Sequence, residues 1–391
     1  MKYDFDEIVN RENTACVKYD LRKELFGKPD VIPAWVADMD FKTPDFIINA
    51  LKKRLEHEIL AYSIRPDGFY DSVIKWIKDS HGLTIEKDWI VFTPGIVPAL
   101  NFAVLSLTSP GDKIIVQPPV YFPFFNAITD HGRIKVDNPL KIIDNRHEID
   151  FGNLCGLIDE KVKMIMLCSP HNPGGRVWSL NELRQIGELC VRNKIILLSD
   201  EIHSDLILFG NKHIPSMSIS DELAELTVAC FAPSKTFNLA GLSTSVAVIK
   251  NEELRNRFKK TVESLHVGSG NIFGTVALQA AYENGRDWLN QLLEYIEGNI
   301  RYVDQFCKEK LPAVKVMIPE ATYMVWLDFR ETGMNSKRQK EFLIDECGVG
   351  LNDGRVFGIG GEGFQRMNLA CPRSTLVAIM ENIYEKMRLF I

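Results

Sequence analysis

The chain has 391 residues, 46% of them hydrophobic and 25% charged, a composition that suits a globular protein of one or two domains with a large core. Its net charge of −6 offers no basic surface for nucleic acid or acidic lipid, no run approaches the roughly 18 apolar residues a membrane helix needs, and the acidic start Met-Lys-Tyr-Asp-Phe-Asp-Glu lacks the apolar core of a signal peptide. Eight cysteines, none paired as CxxC and several inside apolar runs, read as reduced buried thiols, so the expectation is a cytoplasmic enzyme with no metal.

The first 45 residues, with Pro29, Pro33 and Pro44, read as an irregular arm lying on another domain or subunit. Residues 89–92 form an apolar strand, and the turn Thr93-Pro94-Gly95 after it opens a helix over 98–107. Ser109-Pro110-Gly111-Asp112 is a turn into a strand at 113–117, and 162–168 is a further strand. Ser179 with Glu182 three residues on is a capping box, which predicts a helix to about Asn193. Strands then follow at 194–199, 226–231 and 244–249. Strands this apolar are buried on both faces, as in a largely parallel α/β sheet. From Glu252 the pattern turns helical through 258–265, 273–283 and 288–310, and Pro312 ends it. A smaller α+β unit completes the chain, with strands near 314–318, 322–328 and 363–368 and helices at 336–346 and from Ser374. The expected division is an arm over 1–45, a large domain over 46–285 and a small domain over 286–391.

Four segments carry the chemistry. They are Ser169-Pro170-His171-Asn172-Pro173-Gly174-Gly175, Ser199-Asp200-Glu201-Ile202-His203, Ala232-Pro233-Ser234-Lys235-Thr236-Phe237-Asn238 and Asn368-Leu369-Ala370-Cys371-Pro372-Arg373. The first three follow strands, and in open α/β sheets ligands sit beyond the carboxyl ends of strands. Taken singly, Lys235 is an ordinary surface lysine, Asp200 a turn cap, Asn172 a turn residue, Arg373 a helix-start charge and Tyr121 core. Taken together they suit pyridoxal 5′-phosphate. A desolvated lysine forms a Schiff base, and a carboxylate facing the pyridine nitrogen keeps it protonated, so that the ring draws electrons. An asparagine amide reaches the phenolic oxygen, an aromatic ring stacks on the cofactor, and an arginine grips an α-carboxylate. Gly358-Ile359-Gly360-Gly361-Glu362-Gly363 fits a GxGxxG spacing but precedes a strand. It therefore reads as a tight loop beside Arg373 and not as a dinucleotide fingerprint.

These segments, with Trp35-Val36-Ala37-Asp38-Met39-Asp40-Phe41, Pro118-Pro119-Val120-Tyr121 and Ser234-Lys235-Thr236-Phe237-Asn238-Leu239-Ala240-Gly241-Leu242, resemble the fold-type I pyridoxal-phosphate enzymes of the aspartate aminotransferase superfamily. Within it the chain is similar to the MalY/PatB-like cystathionine β-lyase branch, nearly end to end. The resemblance implies a mostly parallel seven-stranded large domain with a smaller α+β domain. It makes Lys235 the Schiff-base lysine, Asp200 the pyridinium partner, Asn172 the phenolic-oxygen donor, Tyr121 the stacking ring and Arg373 the carboxylate anchor. Substrate would also meet Ala37, Asn172 and Tyr121. Tyr62 resembles a tyrosine that reaches the neighbouring subunit's site, which implies a homodimer. His203 stands where many transaminases of the superfamily carry tyrosine, which favours the lyase branch. Two usual phosphate ligands are replaced here by Ala232 and Ser243. Phosphate is therefore expected on the Gly95, Ile96 and Val97 amides, on Ser234 or Thr236, and on Tyr62 of the partner.

The implied reaction is α,β-elimination from L-cystathionine or a related cysteine S-conjugate, with Lys235 as Cα base and Lys235 or a nearby tyrosine, Tyr62 or Tyr121, protonating the departing thiolate. An aminotransferase on the same fold, or a regulatory protein keeping the scaffold, are the alternatives; release of pyruvate without a keto acid separates the lyase from the transaminase.

Overall fold

A computed structural model describes residues 2–389. Seven strands form the central sheet: β1 Ile90–Thr93, β2 Lys113–Val116, β3 Ile134–Asp137, β4 Val162–Cys168, β5 Ile196–Asp200, β6 Thr227–Phe231 and β7 Ser245–Val248. Their order across the sheet is β1-β7-β6-β5-β4-β2-β3. Every pairing is parallel except the two made by β7, which runs antiparallel to β1 and β6. The carboxyl ends of β1, β2, β4, β5 and β6 therefore lie along one edge, together with the amino end of β7. That edge is where the motif-bearing loops emerge.

The expected strands all form, with ends shifted by a residue or two. β3 is an addition: its sequence Ile-Lys-Val-Asp is partly exposed, as suits an edge strand, and it has no apolar run to announce it. Helices cover both faces. On one, Ile96–Leu107 packs its Ala99, Leu100, Ala103 and Val104 against the sheet together with Phe258 and Val262 of the helix Glu252–Ser264. On the other, Leu180–Asn193 buries Leu183, Ile186 and Cys190. The Ser179 capping box is formed in full: Ser179 Oγ accepts from the Glu182 amide at 3.3 Å, and Glu182 accepts from the Ser179 amide at 2.7 Å.

The helix Arg286–Lys310 leads into a four-stranded sheet of β8 Lys315–Met317, β9 Met324–Asp328, β10 Asn352–Asp353 and β11 Phe364–Asn368, ordered β8-β9-β11-β10 and antiparallel throughout. The expected helix at 336–346 is α-helical over Ser336–Glu341 and continues as a π turn over Phe342–Glu346. The N-terminal segment lies on this unit, because Ile32–Pro33 pairs parallel with Val349–Gly350. Among the described residues no helix is long and apolar enough to cross a membrane.

Candidate active site

A cavity of about 230 Å3 opens at the strand-end edge. Lys235, Asp200, Asn172, His203, Tyr121 and Ser234 line it, with Ala37 and the Gly95-Ile96-Val97 turn. Sequence-distant motifs thus meet because consecutive parallel strands deliver their loops to one side. β4 ends in Ser169–Gly175, which folds back so tightly that the His171 amide donates to the Arg176 carbonyl at 2.8 Å. Gly175 has φ +66, and a Cβ there would lie 2.4 Å from Pro319 Cβ; its carbonyl accepts from the Glu320 and Ala321 amides at 2.8 and 3.0 Å. Glycine is required at that docking point between the two sheets.

Lys235 sits in the short helix Pro233–Thr236 after β6. Its Nζ donates to the Ala37 carbonyl at 2.5 Å. Burial, then the Arg366 guanidinium, lowers its pKa from 10.5 to about 8, against opposing pulls from Asp38 and Asp200. The nitrogen is thus a nucleophile near neutrality. Asp200 ends β5 and is buried; its Oδ1 accepts the Ile202 amide, at 3.2 Å. Burial pushes its pKa up to about 7. A carboxylate so placed is short of a cation. Among the described residues, the buried His203 Nδ1 and Arg366 Nε have no hydrogen-bond partner. These unsatisfied groups fit a flat, polar, cation-bearing ring.

The Ile96–Leu107 helix begins at the cavity. Its N-cap is Gly95, with φ +119, and no side chain caps its first turn. The Gly95 amide donates to Ser245 Oγ at 3.1 Å, which leaves the next amides for an anion, and Ser234, Ser243 and Thr244 line the same wall. Pyridoxal phosphate therefore fits the donor set: an amine, an acid for the ring nitrogen and a helix terminus for the phosphate.

Three expectations change. Arg373 does not line the cavity: its Nε donates to Asn299 Oδ1 at 2.8 Å and its guanidinium lies 4.9 Å from the Tyr302 ring centre, on the helix Arg286–Lys310. The arginine that reaches a lining residue is Arg366, 4% exposed. Its Nη1 donates to Asn172 Oδ1 at 3.1 Å, and its Nη2 donates to the Trp35 carbonyl at 2.7 Å and to Asn352 Oδ1 at 2.6 Å. The available signal was a lone arginine inside the strand Phe-Gln-Arg-Met-Asn. Thr236 is also unavailable to phosphate, because its Oγ1 donates to Asp205 Oδ2 at 2.9 Å. Finally, the glycine loop after Phe357 packs on Pro118, Pro119 and Phe125 instead of beside Arg373. Tyr62 lies fully exposed and away from this chain's cavity.

Beneath the site lie two buried acid–histidine pairs that the motifs did not reveal. Asp205 faces His81 Nε2 and accepts from Trp76 Nε1, each at 3.0 Å, while Glu201 Oε2 lies 2.8 Å from His213 Nε2. They anchor Thr236 and the turn after Asp200, next door to Lys235 and Asp200 in sequence.

The acid at 200 has a measurable cost in the cofactor-free protein. Its folded pKa is raised above the unfolded 3.8, so its contribution to stability is greatest at low pH and is lost as pH climbs from about 4 to about 7. Asp200→Asn should escape that loss, gaining up to about 4 kcal/mol over the wild type at pH 8 and much less at pH 5, while binding cofactor more weakly. Urea melts of both cofactor-free proteins at the two pH values test this. A stability gap independent of pH would contradict it.

The family model for aminotransferase class I and II matches residues 31–383. Cystathionine beta-lyase PatB of Bacillus subtilis (strain 168) is 43% identical over 373 residues, covering 95% of this chain and 96% of that protein. Among solved structures, cystalysin from Treponema denticola, which contains a pyridoxal 5′-phosphate cofactor, superposes with a TM-score of 0.97 at 38% identity over the whole of both chains. The pyridoxal-phosphate-bound C-S lyase from Staphylococcus hominis gives 0.92 at 33% identity, over 99% of this chain and 98% of that one.

Proposed function

The chain belongs to the aminotransferase class I and II family, and we propose that it is a pyridoxal 5′-phosphate-dependent carbon–sulfur β-lyase that converts L-cystathionine or a related cysteine S-conjugate to a thiol, pyruvate and ammonia. The observation that carries this reading is the meeting, in one cavity, of a half-buried low-pKa lysine and a buried acid, with a strand-held arginine bonded to the lining residue Asn172, in a chain whose similar proteins are named as carbon–sulfur lyases.

Bound pyridoxal 5′-phosphate supplies an aldehyde for amine capture and a ring that withdraws electrons from the substrate's Cα. Lys235 would hold that aldehyde, and its Nζ, when free, is placed to take the substrate's Cα proton. Asp200, as a carboxylate, would keep the ring nitrogen of the cofactor protonated. Arg366 and Asn172 bind the substrate carboxylate and fix the orientation of the Cα–H bond; Arg366 takes the role that Arg373 was expected to fill. Tyr121 covers the site and limits water. As the Cα proton leaves, the C–S pair departs with sulfur, which gains a proton from Lys235 or Tyr121. Water then releases ammonia and leaves pyruvate. His203 is held neutral by burial and by the nearby Lys235 and Arg366 charges, its pKa lowered to about 3, and does not act as a base.

We also assign a homodimer as the working unit, with Tyr62 entering the other subunit's cavity. What supports it is the exposed stretch Ile59, Leu60, Tyr62 and Ile64, an apolar run that a monomer would leave wet.

The test is purified protein with cystathionine and no keto acid. Equal amounts of thiol and pyruvate are expected, from a species sedimenting at twice the mass of the 44.5 kDa chain. Strict dependence on an added keto acid would make the protein a transaminase.

A further inference from the structure

The segment Trp35–Asp40 runs beside the site, with Ala37 in its lining, and its main-chain carbonyls receive donors one after another. Trp35 accepts from Arg366 at 2.7 Å and Val36 from Asn368 at 2.6 Å. Ala37 accepts from Lys235 at 2.5 Å and from Tyr323 Oη at 3.0 Å. Asp38 accepts from Asn368 at 2.5 Å, and Met39 from Asn238 at 2.9 Å and from Arg11 at 3.0 Å. The two cations of the site are thus both measured against one short stretch of backbone.

The Asp38 and Asp40 carboxylates of that stretch meet Arg11 and Lys18 in a cluster of four charges. Arg11 holds Asp38 through two bonds, at 3.1 and 2.6 Å, and reaches Asp40 Oδ1 at 2.6 Å. Lys18, only 1% exposed, donates to Asp40 Oδ2 at 2.7 Å and lies 3.7 Å from Asp38. The Lys18 carbonyl in turn accepts from Trp35 Nε1 at 3.2 Å. A lysine with its ammonium this deeply buried is expensive for a surface arm to keep, and a loop of this length needs no such clamp merely to remain folded, given the backbone bonds above.

We propose that Arg11 and Lys18 are positioning residues of the active site. Through Asp38 and Asp40 they fix the carbonyls at 35 and 37, and so set the spacing of the carboxylate-binding Arg366 from the reacting Lys235. The N-terminal segment would then contribute to substrate binding without touching substrate. The proposal rests on the assignment of Lys235 and Arg366 above.

Replacing the buried pair with apolar residues of similar size separates positioning from folding, since such swaps tend to leave stability unchanged or improved. The holoenzyme of the double variant Lys18→Met/Asp40→Leu is compared with wild type by thermal melting and by kcat and KM for cystathionine. The dissociation constant of propionate is measured alongside by calorimetry, since this carboxylate has no amine to react. Expected are a wild-type melting curve, kcat within about threefold, and KM and the propionate constant both raised about tenfold. Arg11→Met, at a less buried position, should shift the same two constants in the same direction and serves if the double variant does not fold. A folded variant of either kind with wild-type KM and propionate binding would overturn the proposal. A wild type that released no thiol would instead overturn the assigned reaction, and the propionate comparison would still judge the clamp.

Discussion

Lys235→Ala should abolish the yellow absorbance of the bound cofactor and lower the rate of elimination by about 10^4-fold, the scale of losing both a covalent anchor and a positioned base. No neighbour can substitute. Lys18 is committed to Asp40, and Arg366 stays charged even though burial pulls its pKa down to about 10. The wild-type lysine also predicts a pH dependence. Only its neutral form captures an aldehyde, and burial with the Arg366 charge brings its pKa to about 8. Cofactor uptake by the cofactor-free protein should therefore rise about tenfold from pH 7 to pH 9 and then level off. An ordinary lysine would instead gain about a hundredfold over that interval and continue upward past pH 10. Stopped-flow absorbance distinguishes the two curves, and persistence of the yellow band in Lys235→Ala would remove this residue from its assigned role.

Arg366→Met should raise KM about a hundredfold or more, because a carboxylate would lose a charged donor from a buried side chain, worth about 3 kcal/mol. Arg373→Met should change KM by less than threefold, since that guanidinium is spent on Asn299 and the Tyr302 ring. Removing Arg366 also removes a positive charge near Lys235, so the midpoint of cofactor uptake should move above pH 8. Steady-state kinetics on the two single variants decide between the arginines. Equal KM effects, or a larger one at 373, would return the anchoring role to Arg373.

The two arginines show what a single sequence can and cannot specify. Strand-end loops carrying Asn172, Asp200 and Lys235 were legible because apolar runs of the right length precede them and a parallel sheet has only one edge at which to gather such loops. Which of two arginines seven residues apart bonds the lining residue Asn172 was not legible. It depends on the pairing of β11 with β9, where Arg366 sits opposite Trp326. It depends also on alternation along β11, which puts Arg366 and Asn368 on one face, toward residues 35–38. Arg373, by contrast, begins a helix and folds onto the helix Arg286–Lys310. The direction of β7 was hidden for a related reason: its residues are as fully buried as those of its parallel neighbours, so composition alone says nothing of its polarity. The partners of Asp205 and Glu201 come from residues 81 and 213, which no local motif connects to the lysine.

The pairing of Ile32–Pro33 with Val349–Gly350 has a consequence for the order of events during synthesis. Ile32–Pro33 has no strand to join until residues near 350 have been made. The central sheet, complete by Val248, can form while those first residues are still unattached. Closing so long a loop comes late because its entropy cost must be met before its contacts form. A nascent chain halted near residue 300 should therefore protect its seven strands from protease yet be cut readily among its first forty residues.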